Sequence, residues 1–526
     1  MPPTLTFEEQ IGQVILAVWP AEGGVERLAP LVAGGRVGGV VVRPGCAGGP
    51  RELAAALNHL QRLASYPLLC AAELPSGRGA LVPGAACLPG PLALGSARQA
   101  DLARRCGAYL AREARALGVH LLLGPSLDVQ RAPAGDGASA ADVLWRSAWR
   151  TFGENPALVA HLGAAFIEGC RAGGALAAGG QFPGRGGAEY DQDRALALLP
   201  QGRQALEKID LLPYVEAARA GLGAVQTGHL HVSALDNLPH RLATHSSTVV
   251  EGLLRRSLGF AGLLLTDNLD APAMGVRYNP GQAAVLAFAA GHDLLVTENP
   301  EQVYRALYEV LLHGDVPPAR LQQAVGRVWQ AKEDLGLWRR RFATGELPEG
   351  GEGPRLAREV AASSLVVLRG RPEALLARPL LAVTTPALRC DGSRVDHDLA
   401  RLARTVLGTE MKVISVQPSL PAEAAALPSG AEEARAALLC VDLQPDSPAA
   451  RGDGTCRGLV PLAEGLKRLG LPLGVVLLGN PYALPCFPMA DVLLYAPGDA
   501  PACLEAALDC LVGRLQPGGK LPVTIR

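Results

Sequence analysis

The chain has 526 residues, of which 49% are hydrophobic and 19% are charged. This composition excludes a disordered chain, and the length exceeds that of one ordinary domain. The 49 Lys and Arg residues are balanced by 50 Asp and Glu residues, giving a formal net charge of −1. Because a nucleic-acid binder usually carries a clear basic excess, we expect no nucleic acid partner.

Eleven cysteines are scattered along the chain, without a CxxC pair or a Cys/His cluster of the kind that binds zinc. We therefore expect no metal and no cofactor, and we interpret the cysteines as buried small residues of a reducing compartment. The first ten residues lack the basic region of a signal peptide, and no apolar stretch approaches the about 20 residues of a membrane helix. These features predict a soluble, cytoplasmic protein that does not enter a membrane.

Over the first 340 residues, short apolar runs alternate with longer segments of helical periodicity. Seven such runs occur, at 37–44, 68–74, 119–129, 175–180, 224–232, 262–268 and 292–299. Continuous apolar strands separated by amphipathic helices are typical of a buried parallel sheet covered by helices. With a possible eighth strand, the pattern predicts an α/β fold with an N-terminal (β/α)8 TIM-type barrel over residues 1–340.

A second region of strand and helix alternation follows a Gly/Pro/Glu-rich stretch at 341–356, which we interpret as a linker. Six further apolar runs follow it, beginning at SSLVVL (363–368) and ending at DVLLYAP (491–497). This pattern predicts a smaller doubly wound α/β domain over residues 357–526.

Polar residues end several of the predicted barrel strands. Glu73, Asp128, His229, Asp267 and Glu298 each lie at or just after the end of a run. The chemistry of such barrels takes place at the carboxyl ends of the strands, so a shared pocket is one interpretation. The alternative is that each carboxylate caps the helix that follows it.

The segment GFAGLLLTDNLDAPAMG (259–275) delivers Asp267 at the tip of an apolar strand. This segment resembles the nucleophile motif of glycoside hydrolase family 3, in its β-N-acetylhexosaminidase branch. The resemblance implies a retaining glycosidase with Asp267 as the nucleophile, acting on a small saccharide. Asn268 departs from the second Asp of that motif, and Pro272 falls in a stretch that the family usually keeps helical.

Six other segments resemble the family in the same order. ALGVHLLLGPSLDV (116–129) carries Asp128, RTFGENPALVA (150–160) carries Arg150, and TGHLHVSALD (227–236) carries His229. ELPSGRG (73–79) places Glu73 where the family has a sugar-binding Asp and keeps Arg78, while GNPYAL (479–484) and PGGKLPVTI (517–525) resemble the second domain of two-domain members. The resemblance implies that Glu73, Arg78, Asp128, Arg150 and His229 bind the sugar.

The family's K-H-F-P-G-H-G loop reads GQFPGRG here (180–186). Gly180 replaces a sugar-binding Lys, Gln181 replaces a His and Arg185 replaces a second His, so we expect Gln181 and Arg185 to contribute to substrate binding in their place. A structural role is the alternative for His229, since a lone His on a strand is usually satisfied within the protein. Asp128 could equally be a structural hydrogen-bond acceptor.

The general acid/base of the hexosaminidase branch is the His of an Asp-x-His pair. The aligned stretch here, AEYDQD (188–193), keeps Asp191 but has Asp193 in place of that His. Burial or neighbouring carboxylates would raise the pKa of Asp193 toward that of a general acid, so the resemblance predicts Asp193 and Asp191 as catalytic residues. The alternatives are a solvated acidic loop, or an acid supplied by the second domain, such as Asp391 or Asp442.

The sequence therefore predicts a β-N-acetylhexosaminidase-like hydrolase that cleaves terminal β-linked N-acetylglucosamine. Two alternatives remain open. One is a catalytically impaired family member that binds a saccharide or a partner protein, because the Lys, the two loop His residues and the acid/base His are absent. The other is a β-glucosidase.

Overall fold

The computed structural model describes residues 5–21, 23–73, 81–131, 149–188, 197–348, 350–375, 380–384, 395–402, 404, 406, 412–415, 431–443 and 459–525. Within these residues the chain forms two sheets, each covered by helices, and a two-stranded ribbon. No helix in these ranges is long and apolar enough to cross a membrane.

The first part of the described chain contains ten strands. They are β1 (Ile15–Val18), β2 (Gly39–Val42), β3 (Leu69–Glu73), β4 (Leu121–Ser126), β5 (Leu176–Phe182), β6 (Ala197–Leu198), β7 (Ala224–Thr227), β8 (Leu230–His231), β9 (Leu263–Thr266) and β10 (Leu295–Thr297). Eight of the ten form one parallel sheet in the order β10-β1-β2-β3-β4-β5-β7-β9. A parallel bridge between Leu265 and Leu294 joins the two ends of this sheet, so the barrel is nearly closed.

The barrel confirms the predicted TIM-type fold and adds two details. The eighth strand is β1, a run of four buried residues that the seven predicted runs do not include. The predicted run at 224–232 is two strands, because the chain leaves the barrel at Gly228, whose N–H donates to Phe182 O. β8 then pairs with β6 in the separate ribbon.

Packing inside the barrel follows the alternation of side chains along each strand. A layer of small and branched residues fills the interior, including Leu16, Val41, Ala71, Ala178 and Leu265. The opposite faces of the same strands pack on the helices. The barrel is therefore a filled core rather than an open channel.

Helices cover the barrel between its strands. They are α1 (Phe7–Gln13), α2 (Gly24–Ala33), α3 (Pro50–Leu63), α4 (Pro91–Ala97), α5 (Ala100–Leu117), α6 (Pro156–Ala172), α7 (Leu212–Arg219), α8 (Pro280–Ala290), α9 (Pro300–Leu312) and α10 (Pro318–Asp334), with π-type turns at Leu206–Asp210 and Thr248–Ser257. Local signals set their ends. Thr6 and Glu9 form a capping box at the start of α1, and Gly118 ends α5 in the left-handed conformation.

The second domain is an α/β sheet of six strands in the order β11-β16-β15-β14-β12-β13. The strands are β11 (Val366–Arg369), β12 (Leu380–Thr384), β13 (Lys412–Ser415), β14 (Ala436–Leu443), β15 (Leu473–Gly479) and β16 (Val492–Ala496), and the helices are α11 (Glu352–Ser364), α12 (Val395–Leu402), α13 (Val460–Arg468) and α14 (Pro501–Leu511). All of its pairings are parallel except β11 with β16. The predicted α/β domain is present, with a mixed sheet.

The two domains are packed together. Helix α11 begins at Glu352, inside the predicted linker, and packs on α4 and α5 of the barrel. Arg105 forms a two-pronged ion pair with Glu359 of α11, at 2.7 and 2.6 Å. The C-terminal tail also contacts the barrel, where Thr524 N–H donates to Glu154 at 2.8 Å. These contacts hold the second domain against the segment that carries Arg150.

Candidate active site

A cavity of about 490 Å³ opens at the carboxyl end of the barrel. One wall is apolar and is built by α4, α5, α6 and the turn before them, including Leu88, Leu94, Leu110 and Phe166. The other wall is polar, and its side chains come from the ends of seven strands and from the segment before α6. These polar lining residues are Arg43, Glu73, Ser126, Arg150, Gln181, Arg185, Gln226, Asp267, Asn268, Asp270 and Glu298.

Asp267 follows directly after β9, and four hydrogen bonds fix it. Its backbone N–H donates to Thr227 O at 3.1 Å. Its Oδ1 accepts from Asn268 N–H at 2.8 Å and from Gln226 Nε2 at 3.2 Å. Its Oδ2 accepts from the side-chain amide of Gln181. Uncharged donors on both carboxylate oxygens fix the orientation of this side chain at the cavity surface.

A chain of polar side chains runs around the barrel mouth from Asp267. Asn268 Nδ2 donates to Glu298 Oε1 at 2.9 Å, and Arg43 Nη2 donates to the same oxygen at 2.7 Å. Arg43 Nε also lies 4.0 Å from Glu73. Arg43 and both carboxylates are partly exposed to the cavity. This side of the cavity therefore offers charged acceptors and donors for sugar hydroxyls.

Asp270 braces the segment that carries Glu298. Its carboxylate accepts hydrogen bonds from Thr297 Oγ1 at 2.7 Å, from Glu298 N–H at 2.7 Å and from Asn299 Nδ2 at 2.5 Å. Asp270 thus ties the turn after β9 to the end of β10. Pro272, which departs from the family pattern, begins a four-residue helix at its first position, where a missing N–H costs nothing.

Asp128, a predicted sugar-binding residue, is buried within the protein. This residue is 1% exposed and is not among the described residues that line the cavity. Its carboxylate accepts from the backbone N–H of Arg185 at 2.8 Å and from Arg185 Nε at 3.2 Å. Asp128 therefore holds the loop that carries Arg185, while Arg185 itself reaches the cavity.

His229, also predicted to bind the sugar, is engaged by protein groups. The side chain is fully buried and does not belong to the described cavity lining. Nε2 lies 2.9 Å from Asn268 O, and Nδ1 lies 3.0 Å from Thr244 Oγ1. Because both ring nitrogens are engaged by protein groups, His229 supports the backbone beside the candidate nucleophile.

A second buried histidine supports the same segment. His292 Nε2 lies 2.7 Å from Thr227 Oγ1, and its Nδ1 lies 2.9 Å from Ala287 O. Burial lowers the pKa of His292 to about 3, so the ring is neutral at pH 7. The backbone oxygen of Thr227 in turn accepts a hydrogen bond from the N–H of Asp267. Neutral buried groups therefore hold the backbone of the candidate nucleophile in place.

Several predicted residues fall elsewhere. Arg78, Asp191, Asp193 and the alternative acid Asp391 lie outside the described residues. Asp442 is fully buried in β14 and does not belong to the described cavity lining. Among the described predicted residues, the fold brings Glu73, Arg150, Gln181, Arg185 and Asp267 to one cavity.

Sequence reasoning missed Arg43 and Gln226. Arg43 follows β2, so the rule that polar residues at strand ends face the pocket would have found it. Gln226 lies inside β7, one residue before the strand ends, and nothing in its sequence context separates it from an ordinary strand residue. Among the described residues no group of three or more His, Cys, Asp or Glu side chains is arranged to hold a metal ion.

Comparisons with known proteins relate the barrel to a known family. The model for the glycosyl hydrolase family 3 N-terminal domain matches residues 6–331. A β-N-acetylglucosaminidase/β-glucosidase from Cellulomonas fimi is 30% identical over 388 residues, which are 70% of this chain and 65% of that protein. A β-hexosaminidase from Alkalilimnicola ehrlichii is 30% identical over 315 residues, which are 58% of this chain and 87% of that protein.

The solved structure of a glycoside hydrolase family 3 β-N-acetylglucosaminidase from Paenibacillus sp. str. FPU-7 has the same two-domain fold. It superposes with a TM-score of 0.85 at 24% identity over 99% of both chains. The present chain spans less than two thirds of the Cellulomonas relative. The family match covers the whole barrel and confirms the resemblance found in the sequence: the chain belongs to glycoside hydrolase family 3.

Proposed function

We propose that the protein is a retaining β-glycosidase that releases terminal β-linked N-acetylglucosamine, with Asp267 as its nucleophile. The observation that carries this proposal is the position of Asp267, at the mouth of the barrel and in one cavity with Arg150. The relatives named for β-N-acetylglucosaminidase and β-hexosaminidase activity support the choice of sugar.

In this mechanism an oxygen of Asp267 bonds to the anomeric carbon as the bond from that carbon to the leaving oxygen breaks. A general acid protonates the leaving oxygen. Water then attacks the glycosyl ester with help from the same group acting as a base, so the configuration is retained. The hydrogen bonds from Gln181, Gln226 and Asn268 hold the Asp267 carboxylate in position before attack.

The general acid that we propose is Asp193, with Asp191 beside it, in the segment that continues from the 180–188 loop. Retention requires the acid and the nucleophile to lie about 5–5.5 Å apart. We propose that Glu73, Arg78 and Arg150 bind the glycone, with Gln181 and Arg185 in the positions of the family's loop histidines. Arg43 and Glu298 add two further groups to this wall.

The second candidate is a family member that binds saccharide without turnover. The observation in its favour is that Gln181 bonds the Asp267 carboxylate directly, at a position where the family has a His. The hydrogen bond that orients the carboxylate also restrains its approach to a sugar. A β-glucosidase remains the third candidate, since the Cellulomonas relative carries both activities in its name.

The test is hydrolysis of p-nitrophenyl β-N-acetylglucosaminide and p-nitrophenyl β-glucoside by the purified protein, alongside Asp267→Asn and Asp193→Asn. We expect turnover of the N-acetylglucosaminide, loss of at least about 10³-fold with Asp267→Asn, and a pH profile that changes with Asp193→Asn. Asp315→Asn, an exposed aspartate between α9 and α10, is the matched control.

Equal turnover by Asp267→Asn and the native protein would overturn the proposal. Preference for the glucoside would favour the β-glucosidase. Absence of turnover on both sugars, with N-acetylglucosamine binding retained in calorimetry, would favour the saccharide-binding candidate.

A further inference from the structure

A buried ion pair lies outside the cavity, next to the loop at 181–188 that carries Gln181 and Arg185. Arg131 Nη2 is 2.5 Å from both carboxylate oxygens of Asp210. Asp210 is fully buried at the end of the π-type turn Leu206–Asp210, and the Arg131 side chain is 18% exposed. Neither residue belongs to the described lining of the cavity, so the pair has no place in the substrate-binding scheme above.

The loop at 181–188 rests directly on both partners. The backbone N–H of Arg131 donates to Gly186 O at 2.9 Å. A methyl group on Gly186 would lie 1.9 Å from Val129 O, and one on Gly184 would lie 3.2 Å from Asp210 Cβ. These close approaches leave the loop no room to shift toward Val129 and Asp210.

The same loop has a second anchor from the same stretch of chain. Asp128, which lies three residues before Arg131 in the sequence, accepts hydrogen bonds from the backbone N–H and the guanidinium of Arg185. Two aspartates and two arginines therefore form two buried ion pairs, each joining the segment after β4 to another element. The charges cancel within each pair, and each pair fixes one contact of the loop.

The loop connects these anchors to Asp267. Gln181 begins the loop and donates to the Asp267 carboxylate. Gly184 N–H donates to Gln181 O at 2.8 Å, closing a turn between Gln181 and the anchored residues. A displacement of the anchored end would therefore move Gln181 relative to Asp267.

We propose that Arg131 and Asp210 are positioning residues for the reaction, which fix the loop at 181–188 and, through Gln181, the orientation of the Asp267 carboxylate. The kinetic consequence rests on the proposed function, whereas the fixed position of the loop does not.

The test compares the native protein with the double variant Arg131→Met/Asp210→Asn. The single variant Asp210→Asn would leave the charge of Arg131 without a partner. Because the double variant removes both partners, it leaves no unpaired buried charge and is expected to fold. Glu216→Gln is the matched control, because Glu216 lies on the adjacent helix α7 and forms only an exposed ion pair with Arg219.

We expect the double variant to lower kcat for p-nitrophenyl β-N-acetylglucosaminide by about tenfold or more, because small misplacements of reacting groups are costly. The Kd for N-acetylglucosamine, measured by calorimetry, should change by at most about threefold, since Glu73, Arg78 and Arg150, which we propose to bind the glycone, lie outside the loop. A kcat within about twofold of the native value, or equal losses in kcat and in affinity, would overturn the positioning role.

Hydrogen exchange of the Arg185 amide, which donates to Asp128, gives a readout that needs no turnover. We expect exchange about tenfold faster in the double variant and unchanged in Glu216→Gln. If the native protein hydrolyses neither sugar, the proposed function is wrong, but the inference about the loop is still tested by the exchange rate of the Arg185 amide. Unchanged exchange at Arg185 would refute it.

Discussion

Asn268 donates a 2.9 Å hydrogen bond from its side chain to the carboxylate of Glu298. This contact gives a physical reason for the departure from the family motif, which has an Asp at this position. A second carboxylate here would face Glu298 at hydrogen-bond distance, and like charges at that distance repel. An amide is complementary to Glu298 and leaves Arg43 as its ionic partner.

Asn268→Asp should therefore destabilise the protein, and Glu298→Gln should relieve that effect in the double variant. Because the Glu298 side chain is 45% exposed, solvent screens the repulsion, and we expect a coupling free energy of about 1 kcal/mol. Denaturant unfolding of the four members of a double-mutant cycle measures this coupling. Additive effects of the two substitutions would show that the two side chains do not interact.

Gln226→Leu should lower kcat by about 10²-fold, because it removes one of the donors that orient and stabilise the Asp267 carboxylate. The substitution nearly conserves the side-chain volume, so the barrel is expected to keep its fold. Steady-state kinetics on the N-acetylglucosaminide measures the effect, with the exposed Gln302→Leu on α9 as the control. A native kcat in Gln226→Leu would mean that this hydrogen bond has no part in the reaction.

Gly186→Ala should displace the loop at 181–188, because the added methyl group would lie 1.9 Å from Val129 O. We expect a loss of about 1–3 kcal/mol in the free energy of unfolding, the usual cost of overpacking. Gly326→Ala is the control. Gly326 lies in α10 with open space around it, so this substitution should stabilise the helix by about 0.5–1 kcal/mol. Equal effects of the two substitutions would contradict the close packing at Gly186.

Glu113 on α5 should make stability depend on pH. Burial raises the pKa of this carboxyl to about 7, although Ala86 N–H and Tyr109 Oη–H donate hydrogen bonds to it. The pKa in the unfolded chain is about 4.3, so between these two values the native state holds a proton that the unfolded state releases. The contribution of protonated Glu113 is fully present below about pH 4 and is lost as the pH rises through 7.

Glu113→Gln removes this dependence. We expect the free energy of unfolding of the variant, relative to the native protein, to rise by about 2 kcal/mol between pH 5 and pH 8. Urea unfolding at both pH values measures this difference. A constant difference between the two proteins would show that Glu113 ionises normally in the folded state.

Much of the fold was predictable from local pattern. Buried runs such as 262–268 became barrel strands because a continuous apolar stretch is buried on both faces, against the barrel interior on one side and the helices on the other. The run at 224–232 was predicted as one strand and is two, since the hydrogen bond from Gly228 to Phe182, 46 positions earlier, turns the chain away. β1 was not among the seven predicted strands, because its four residues follow α1 with only Val14 between them and do not stand out as a separate apolar run.

The sequence by itself determined the two α/β domains, the family, and the placing of Asp267 at the tip of a strand, because these follow from patterns within short stretches of chain. Only the tertiary structure decided which strand-end side chains share the cavity. Asp128 and His229 carry the same local signals as Glu73 and Asp267, yet Arg185 and the backbone of Asn268 engage them away from the cavity. The direction in which a polar side chain turns depends on partners 39 to 57 positions distant, and local sequence does not encode those partners.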